Sequence, residues 1–168
     1  MISLTRLLVR GLQKIAQWRS KRPAHLLLGE RGETEAFFYL ESLGYQFVAM
    51  NFRAPYHRGE IDLIAWDKGT LCFIEVKTRS DDSFAPPSTA VTPSKQEHIR
   101  AVARRYLRRL PGERRPHSRF DIVSVVCPAG GGSPKFRLQK GAFTWDTGTS
   151  RRRWYRDYTD RHYWRGRR

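Results

Sequence analysis

Asp62, Glu75 and Lys77 form the series D-x(12)-E-x-K within GEIDLIAWDKGTLCFIEVKTRS, residues 59–80. Two carboxylates and an ammonium are the groups that metal-assisted phosphodiester hydrolysis uses. Carboxylate oxygens are hard donors that suit Mg2+ or Mn2+. A cation so held lowers the pKa of a bound water and polarises a phosphoryl oxygen. A lysine beside it can orient that water or stabilise charge developing on the phosphate. The same three charges also suit a half-exposed hairpin with one salt bridge, and spacing alone leaves both readings open.

Whether the three can meet depends on the elements that carry them. EIDLIAW (60–66) and LCFIEVKT (71–78) read as strands joined by Asp67-Lys68-Gly69-Thr70, a short Gly-containing hairpin connection. Side chains alternate across a strand, so Leu71, Phe73, Glu75 and Lys77 share one face, and Cys72, Ile74 and Val76 the other. In the first strand Asp62 goes with Ile64, while Ile61, Leu63 and Ala65 face the opposite way. Pairing counted outward from the turn sets Asp62 opposite Glu75, with Cβ atoms about 4.5–5.5 Å apart. Bare carboxylates that close repel, and a divalent cation between them removes the conflict.

Around this hairpin the chain alternates helical and strand patterns. Residues 30–43 place Ala36, Phe37, Leu40 and Leu43 on one helical face, with Gly44 as the C-terminal cap. YQFVAMNFR (45–53) is strand-like. Thr92 and Pro93 cap and open a helix whose apolar stripe is Ile99, Val102, Ala103, Tyr106, Leu107 and Leu110. Its other side carries Arg100, Arg104, Arg105, Arg108 and Arg109, read as a solvated face whose arginines could track phosphates. RFDIVSVVC (119–127) is a near-continuous apolar strand, and KFRLQKGAF (135–143) an edge strand. The order α-β-β-β-α-β-β predicts one α/β (α+β) domain, a mixed sheet of about five strands flanked by helices.

Charge divides the chain into three parts. Of 168 residues with net charge +16, residues 1–25 hold six Lys/Arg and no acid, and residues 151–168 hold eight Arg against two Asp. A basic N-terminal extension (1–25), a folded domain (26–146) and an Arg- and aromatic-rich tail (147–168) follow. Residues 3–18 read as a basic amphipathic helix that docks on its own domain, a partner or an anionic membrane surface. The tail RRRWYRDYTDRHYWRGRR alternates rings that stack on bases with charges that neutralise phosphates. Cys72 and Cys127 lie in apolar runs without zinc-type spacing, so buried reduced thiols and a cytoplasmic protein are expected. No segment is long and apolar enough to span a bilayer, and the N-terminus lacks a secretory pattern.

Further blocks bear on the hairpin. G-E-x-x-A (Gly32, Glu33, Ala36), Y-L-x-x-x-G-Y (39–45), GEIDLIA (59–65), F-I-E-V-K-T-R (73–79), Lys95 and R-F-D-I-V (119–123) occur in order. Together, over about residues 28–143, they resemble the YraN-like family of the PD-(D/E)XK nuclease superfamily. The resemblance implies a restriction-endonuclease-like fold. It also implies Mg2+- or Mn2+-dependent endonuclease chemistry on DNA, with branched or structured DNA suggested by the superfamily's Holliday-junction resolvases. Through it Asp62 and Glu75 are metal ligands, Lys77 is the motif lysine, and Glu33 is the extra acid that completes the metal shell. Resolvase-like nucleases often pair, so a homodimer is a further expectation. The alternative is a module that binds nucleic acid on this fold without cutting it.

Other candidates carry two readings each. Glu60 could reach the metal or one of its outer partners, or anchor Arg58 or a backbone turn. Lys95 sits in a first helical turn, where a cation opposes the dipole, so it contacts phosphate or forms a salt bridge. Arg53 and Arg79 could hold DNA backbone or pair with local acids, and Arg151, Arg152 and Arg153 open the basic tail. Asp121 is expected to satisfy Arg119 or a loop amide rather than bind metal, and His57 reads as a solvated loop residue.

Overall fold

A computed structural model describes residues 23–56, 59–80, 91–112, 114–128 and 132–146. The N-terminal extension up to residue 22, His57 and the tail from residue 147 lie outside these. Seven elements follow the expected order: α1 (Ala24–Ser42), β1 (Gln46–Arg53), β2 (Glu60–Asp67), β3 (Thr70–Arg79), α2 (Pro93–Arg109), β4 (Ser118–Val126) and β5 (Lys135–Phe143).

The five strands form one mixed sheet in the order β1-β2-β3-β4-β5. Every neighbouring pair is antiparallel except β3 and β4, which run parallel because α2 crosses between them. The β2–β3 register is the one counted from the turn, running Asp67↔Thr70, Trp66↔Leu71, Ala65↔Cys72, Ile64↔Phe73 and Leu63↔Ile74. Its cause is local. Lys68 (φ 48°) and Gly69 (φ 82°) both adopt left-handed backbone, the two-residue loop whose twist matches that of paired strands.

Each face of the sheet is covered by one helix. Ala36 and Leu40 of α1 pack over Leu63, Ala65, Cys72, Ile74, Val123 and Val125. Ile99, Val102, Ala103 and Leu107 of α2 pack over Ile64, Leu71, Phe73, Phe120 and Ile122. Strands covered on both faces carry apolar runs at their centres, as in Leu71–Ile74 of β3. Among the described residues, no helix is long and apolar enough to cross a membrane.

Three details depart from the sequence reading. α1 starts at Ala24 rather than near residue 30, with Pro23 at its N-cap. It runs through Gly29 and Gly32 despite the low helix propensity of glycine. At its far end Gly44 (φ 86°) donates to Glu41 O and Tyr45 to Leu40 O, a Schellman cap that leaves the expected core residue Leu43 half exposed. Arg100 does not belong to the solvated arginine face. Only 4% exposed, it donates through Nε to the Thr144 carbonyl at 2.7 Å and lies over the Phe143 ring, tying α2 to the end of β5.

A buried polar network ties the turn end of the sheet. Arg119 reaches Asp67 at 2.6 Å and Asp121 at 2.9 Å, and Lys140 reaches Asp67 at 2.7 Å. The Gly141 amide donates to Asp121 at 2.9 Å where β5 bulges. Asp121 is therefore satisfied by Arg119 and a backbone amide, as expected. The hydrogen bonds and charges of Lys140 and Arg119 hold the Asp67 carboxyl down to about 2. An acid whose folded pKa is depressed contributes stability above its unfolded pKa and loses it as pH falls through the folded value. Between about pH 4 and pH 2 the denaturation midpoint should fall more steeply in the wild type than in Asp67→Asn. Parallel curves over that window would remove Asp67 from the acid response.

Candidate functional site

At the opposite end of β2 and β3, the ladder gives way to side chains. Paired register stops at Leu63↔Ile74, and the next amide of β3, Val76 N–H, donates to Asp62 Oδ2 at 2.7 Å. Asp62 thus takes the position that a backbone carbonyl would hold in a continuing ladder. The alternation of β2 changes here too. Ile61 packs in the layer under α2, not with Leu63 and Ala65 as strict alternation predicts.

Glu75 lies on the same α2-facing side as Phe73, and only 2% of its side chain is exposed. Its Oε1 accepts from Lys77 Nζ at 2.7 Å and Lys95 Nζ at 3.1 Å. Its Oε2 is buried and has no hydrogen-bond partner. Strand parity places Lys77, two residues on. Lys95 comes from the first turn of α2, where its own amide is capped by Thr92 Oγ1 at 3.3 Å. Asp62, 6% exposed, is pushed up to about 7, chiefly by burial and then by the Glu75 charge.

Glu33 approaches from α1 in the other layer. Burial raises its pKa, the Asn51 side chain hydrogen-bonds it and opposes that rise, and the charges of Glu60, Glu30 and Glu75 add to it. Glu33, Asp62, Glu75, Lys77 and Lys95 therefore form one electrostatic cluster. Glu60 pairs with Arg53 at 2.6 Å, so Arg53 is bound to a local acid, while Arg58 lies outside the described residues. Arg79 is exposed at the end of β3. Arg151, Arg152 and Arg153 lie outside the described residues.

Two positions in this region have a structural role that the sequence reading did not assign, although Gly32 stood in the G-E-x-x-A block. Asn51 adopts φ 49° within β1, a conformation Asn tolerates better than most residues, and its side chain reaches Glu33. An asparagine inside a strand pattern was the available signal. Gly32 is the second. A Cβ there would lie 1.8 Å from Thr78 Oγ1 and 2.6 Å from Thr78 Cβ. Only glycine lets α1 press this closely on β3, one residue beyond Lys77, and so brings Glu33 to the cluster.

Among the described residues, no three His, Cys, Asp or Glu side chains stand together as a ready-made metal cage. The donors nevertheless suit a divalent cation. Two buried carboxylates adjoin, one carries a raised pKa, and the other presents a buried oxygen with nothing to bond. Such an oxygen is costly unless a partner arrives, and hard oxygen donors of this kind match Mg2+ or Mn2+.

Comparison with known proteins adds the family context. The family described as "Uncharacterised protein family UPF0102" matches residues 32–125, which include every member of the cluster. A UPF0102 protein of Koribacter versatilis is 45% identical over 139 residues, covering 83% of this chain and 94% of the relative. A UPF0102 protein of Solibacter usitatus is 47% identical over 115 residues, 68% of this chain and 84% of the relative. One from Symbiobacterium thermophilum is 44% identical over 116 residues, 69% and 95% respectively.

The Gly32 contact yields a direct test. Gly32→Ala should destabilise by about 1–3 kcal/mol, as overpacking typically does. Thr78→Ala removes the atoms at 1.8 and 2.4 Å but keeps Cβ. It should therefore recover part of that loss in the double variant, a coupling measurable in a denaturant double-mutant cycle. Strict additivity would place the cost elsewhere.

Proposed function

The chain belongs to the UPF0102 family, and we propose that it is a divalent-cation-dependent endonuclease that hydrolyses DNA phosphodiester bonds. The observation that carries this reading is the buried, unpartnered Glu75 Oε2 beside an Asp62 raised to about 7, with two lysines at the same carboxylate. A purely structural ion pair has no reason to leave one buried oxygen bare. The resemblance of the motif blocks to PD-(D/E)XK nucleases supports the same assignment and suggests branched or structured DNA as substrate.

In this reading Asp62 and Glu75 would hold Mg2+ or Mn2+, and Glu33 would complete the shell from α1. The cation, when bound, supplies a water of lowered pKa and a Lewis acid for the phosphoryl oxygen. Lys77 sets its ammonium beside the attacked phosphate and stabilises the charge that develops there. The Val76 amide fixes the direction of the Asp62 carboxylate, and Gly32 and Asn51 fix Glu33. Lys95, Arg53, Arg79 and the basic tail offer positive charge to the DNA backbone. The competing reading, a non-catalytic nucleic-acid-binding module, draws on the two lysines that already occupy Glu75 Oε1.

Cleavage assays separate the two. With linear, single-stranded and four-way-junction DNA, Mg2+- or Mn2+-dependent cleavage is expected that chelator abolishes. Asp62→Ala and Glu75→Ala should lose more than the roughly 10–100-fold that outer partners of a metal site cost. Lys77→Ala should lose roughly 100–1,000-fold, as for one removed transition-state donor. Tight binding without cation-dependent cleavage on any substrate would replace the enzyme with the binding module.

The tail makes a separate prediction. Changing Arg151, Arg152 and Arg153 together to Ala should weaken DNA binding evenly across sequences. Each lost phosphate contact lowers the slope of log K against log salt by about 0.9, so filter-binding slopes should fall by up to about 2.7. An unchanged slope takes these arginines off the DNA.

A further inference from the structure

Two ammonium groups share one carboxylate oxygen here while the other oxygen of that carboxylate has none. The ammoniums of Lys77 and Lys95 already offset charge on Glu33, Asp62 and Glu75, so the five-group cluster carries at most one net negative charge. A divalent cation bonded to these carboxylates leaves the cluster with at least one excess positive charge. That excess is relieved if a lysine withdraws, or if an anion enters with the cation.

The two lysines are not equivalent. Lys77 is anchored on β3, two residues from Glu75 on the same face, and makes the shorter contact, 2.7 Å against 3.1 Å. Lys95 stands on a different element, in the first turn of α2, where the helix dipole opposes a cation. Both side chains are about a third exposed, so the difference lies in anchorage: the four-carbon stem of Lys95 can swing its head to solvent while Glu75 stays buried.

We infer that Lys95 is a resident counter-ion of Glu75 that the divalent cation must displace, so that cation and nucleic-acid phosphate bind cooperatively. Resting on the metal-site reading above, this adds how the site is regulated. Without nucleic acid, Lys95 competes with the cation and keeps its affinity low. A backbone phosphate at the mouth of the site draws the Lys95 ammonium to itself, which frees Glu75 for the cation. By reciprocity the cation then tightens nucleic-acid binding by the same factor.

The test is a calorimetric Mn2+ titration at neutral pH without nucleic acid, on full-length wild type and variants. Lys95→Met should bind Mn2+ more tightly than wild type, within the roughly 5–150-fold range of site-to-site coupling. Lys95→Arg, which keeps the charge, should restore weak binding and guard against a folding artefact. Arg53→Met removes a nearby charge that pairs with Glu60 instead, and should change the affinity much less. A phosphorothioate duplex added to wild type should raise its Mn2+ affinity, and should raise that of Lys95→Met less.

The outcomes divide cleanly. If Mn2+ binds wild type, is lost in Asp62→Ala, and is no tighter in Lys95→Met, the inference is overturned and the metal site stands. An equal gain in Arg53→Met reduces the effect to net charge and also overturns it. If neither wild type nor Lys95→Met binds Mn2+ above the Asp62→Ala level, the metal-site reading fails, and this inference with it.

Discussion

Two carboxylates, Asp62 and Glu75, are buried side by side in a sheet whose neighbouring positions are apolar. Burial disfavours charge, and proximity of like charges disfavours it again. Much of the architecture at this end of the sheet follows from accommodating them. The β2–β3 ladder ends before them, and Asp62 takes the Val76 amide in exchange. Lys77 and Lys95 converge on one oxygen of Glu75 from two different elements. The residual strain is electrostatic, concentrated in a raised Asp62 and an unpartnered Glu75 Oε2.

A second pair of buried acids in the same sheet shows how differently the chain treats charge that only needs to be stable. Asp67 and Asp121 are held by Arg119, Lys140, the Tyr45 hydroxyl and the Gly141 amide. Asp67 is driven below its ordinary pKa, whereas Asp62 is driven above it. Burial, and then the Glu75 charge, raises Asp62, whereas at Asp67 the hydrogen bonds of Lys140 and Arg119 outweigh burial. A fully satisfied network rigidifies, while a deficient one has capacity left for a ligand.

Much of this was legible from spacing. The turn at 67–70 has a conformation that sets register, so counting outward gave the β2–β3 pairs from the turn to Leu63↔Ile74, but not the expected pairing of Asp62 with Glu75, before which the ladder ends. Alternation along β3 put Glu75 and Lys77 together because that strand is regular. Alternation along β2 misplaced Ile61, because an irregularity occurs at Asp62 itself, and residue type does not announce it. Arg100 was misread for a related reason. At the border of the apolar stripe, its burial depends on the Thr144 carbonyl, 44 residues away. Gly32 lay inside the helix read from sequence, but its close approach to Thr78, which brings Glu33 to the cluster, is not visible in the sequence.

That last contact bears on when the site exists at all. Glu33 belongs to the layer on one face of the sheet and Lys95 to the layer on the other. Neither is adjacent in sequence to the hairpin that carries Asp62, Glu75 and Lys77. The complete charge cluster therefore forms only after both helices have packed, even though its central hairpin is local and quick to assemble. Until α2 docks, Glu75 lacks one of its two ammoniums, and until α1 docks, Glu33 is absent. Any motion that lifts α1 from Thr78 breaks the cluster without unfolding the sheet. Competence of the site and docking of the two helices are, on this geometry, the same event.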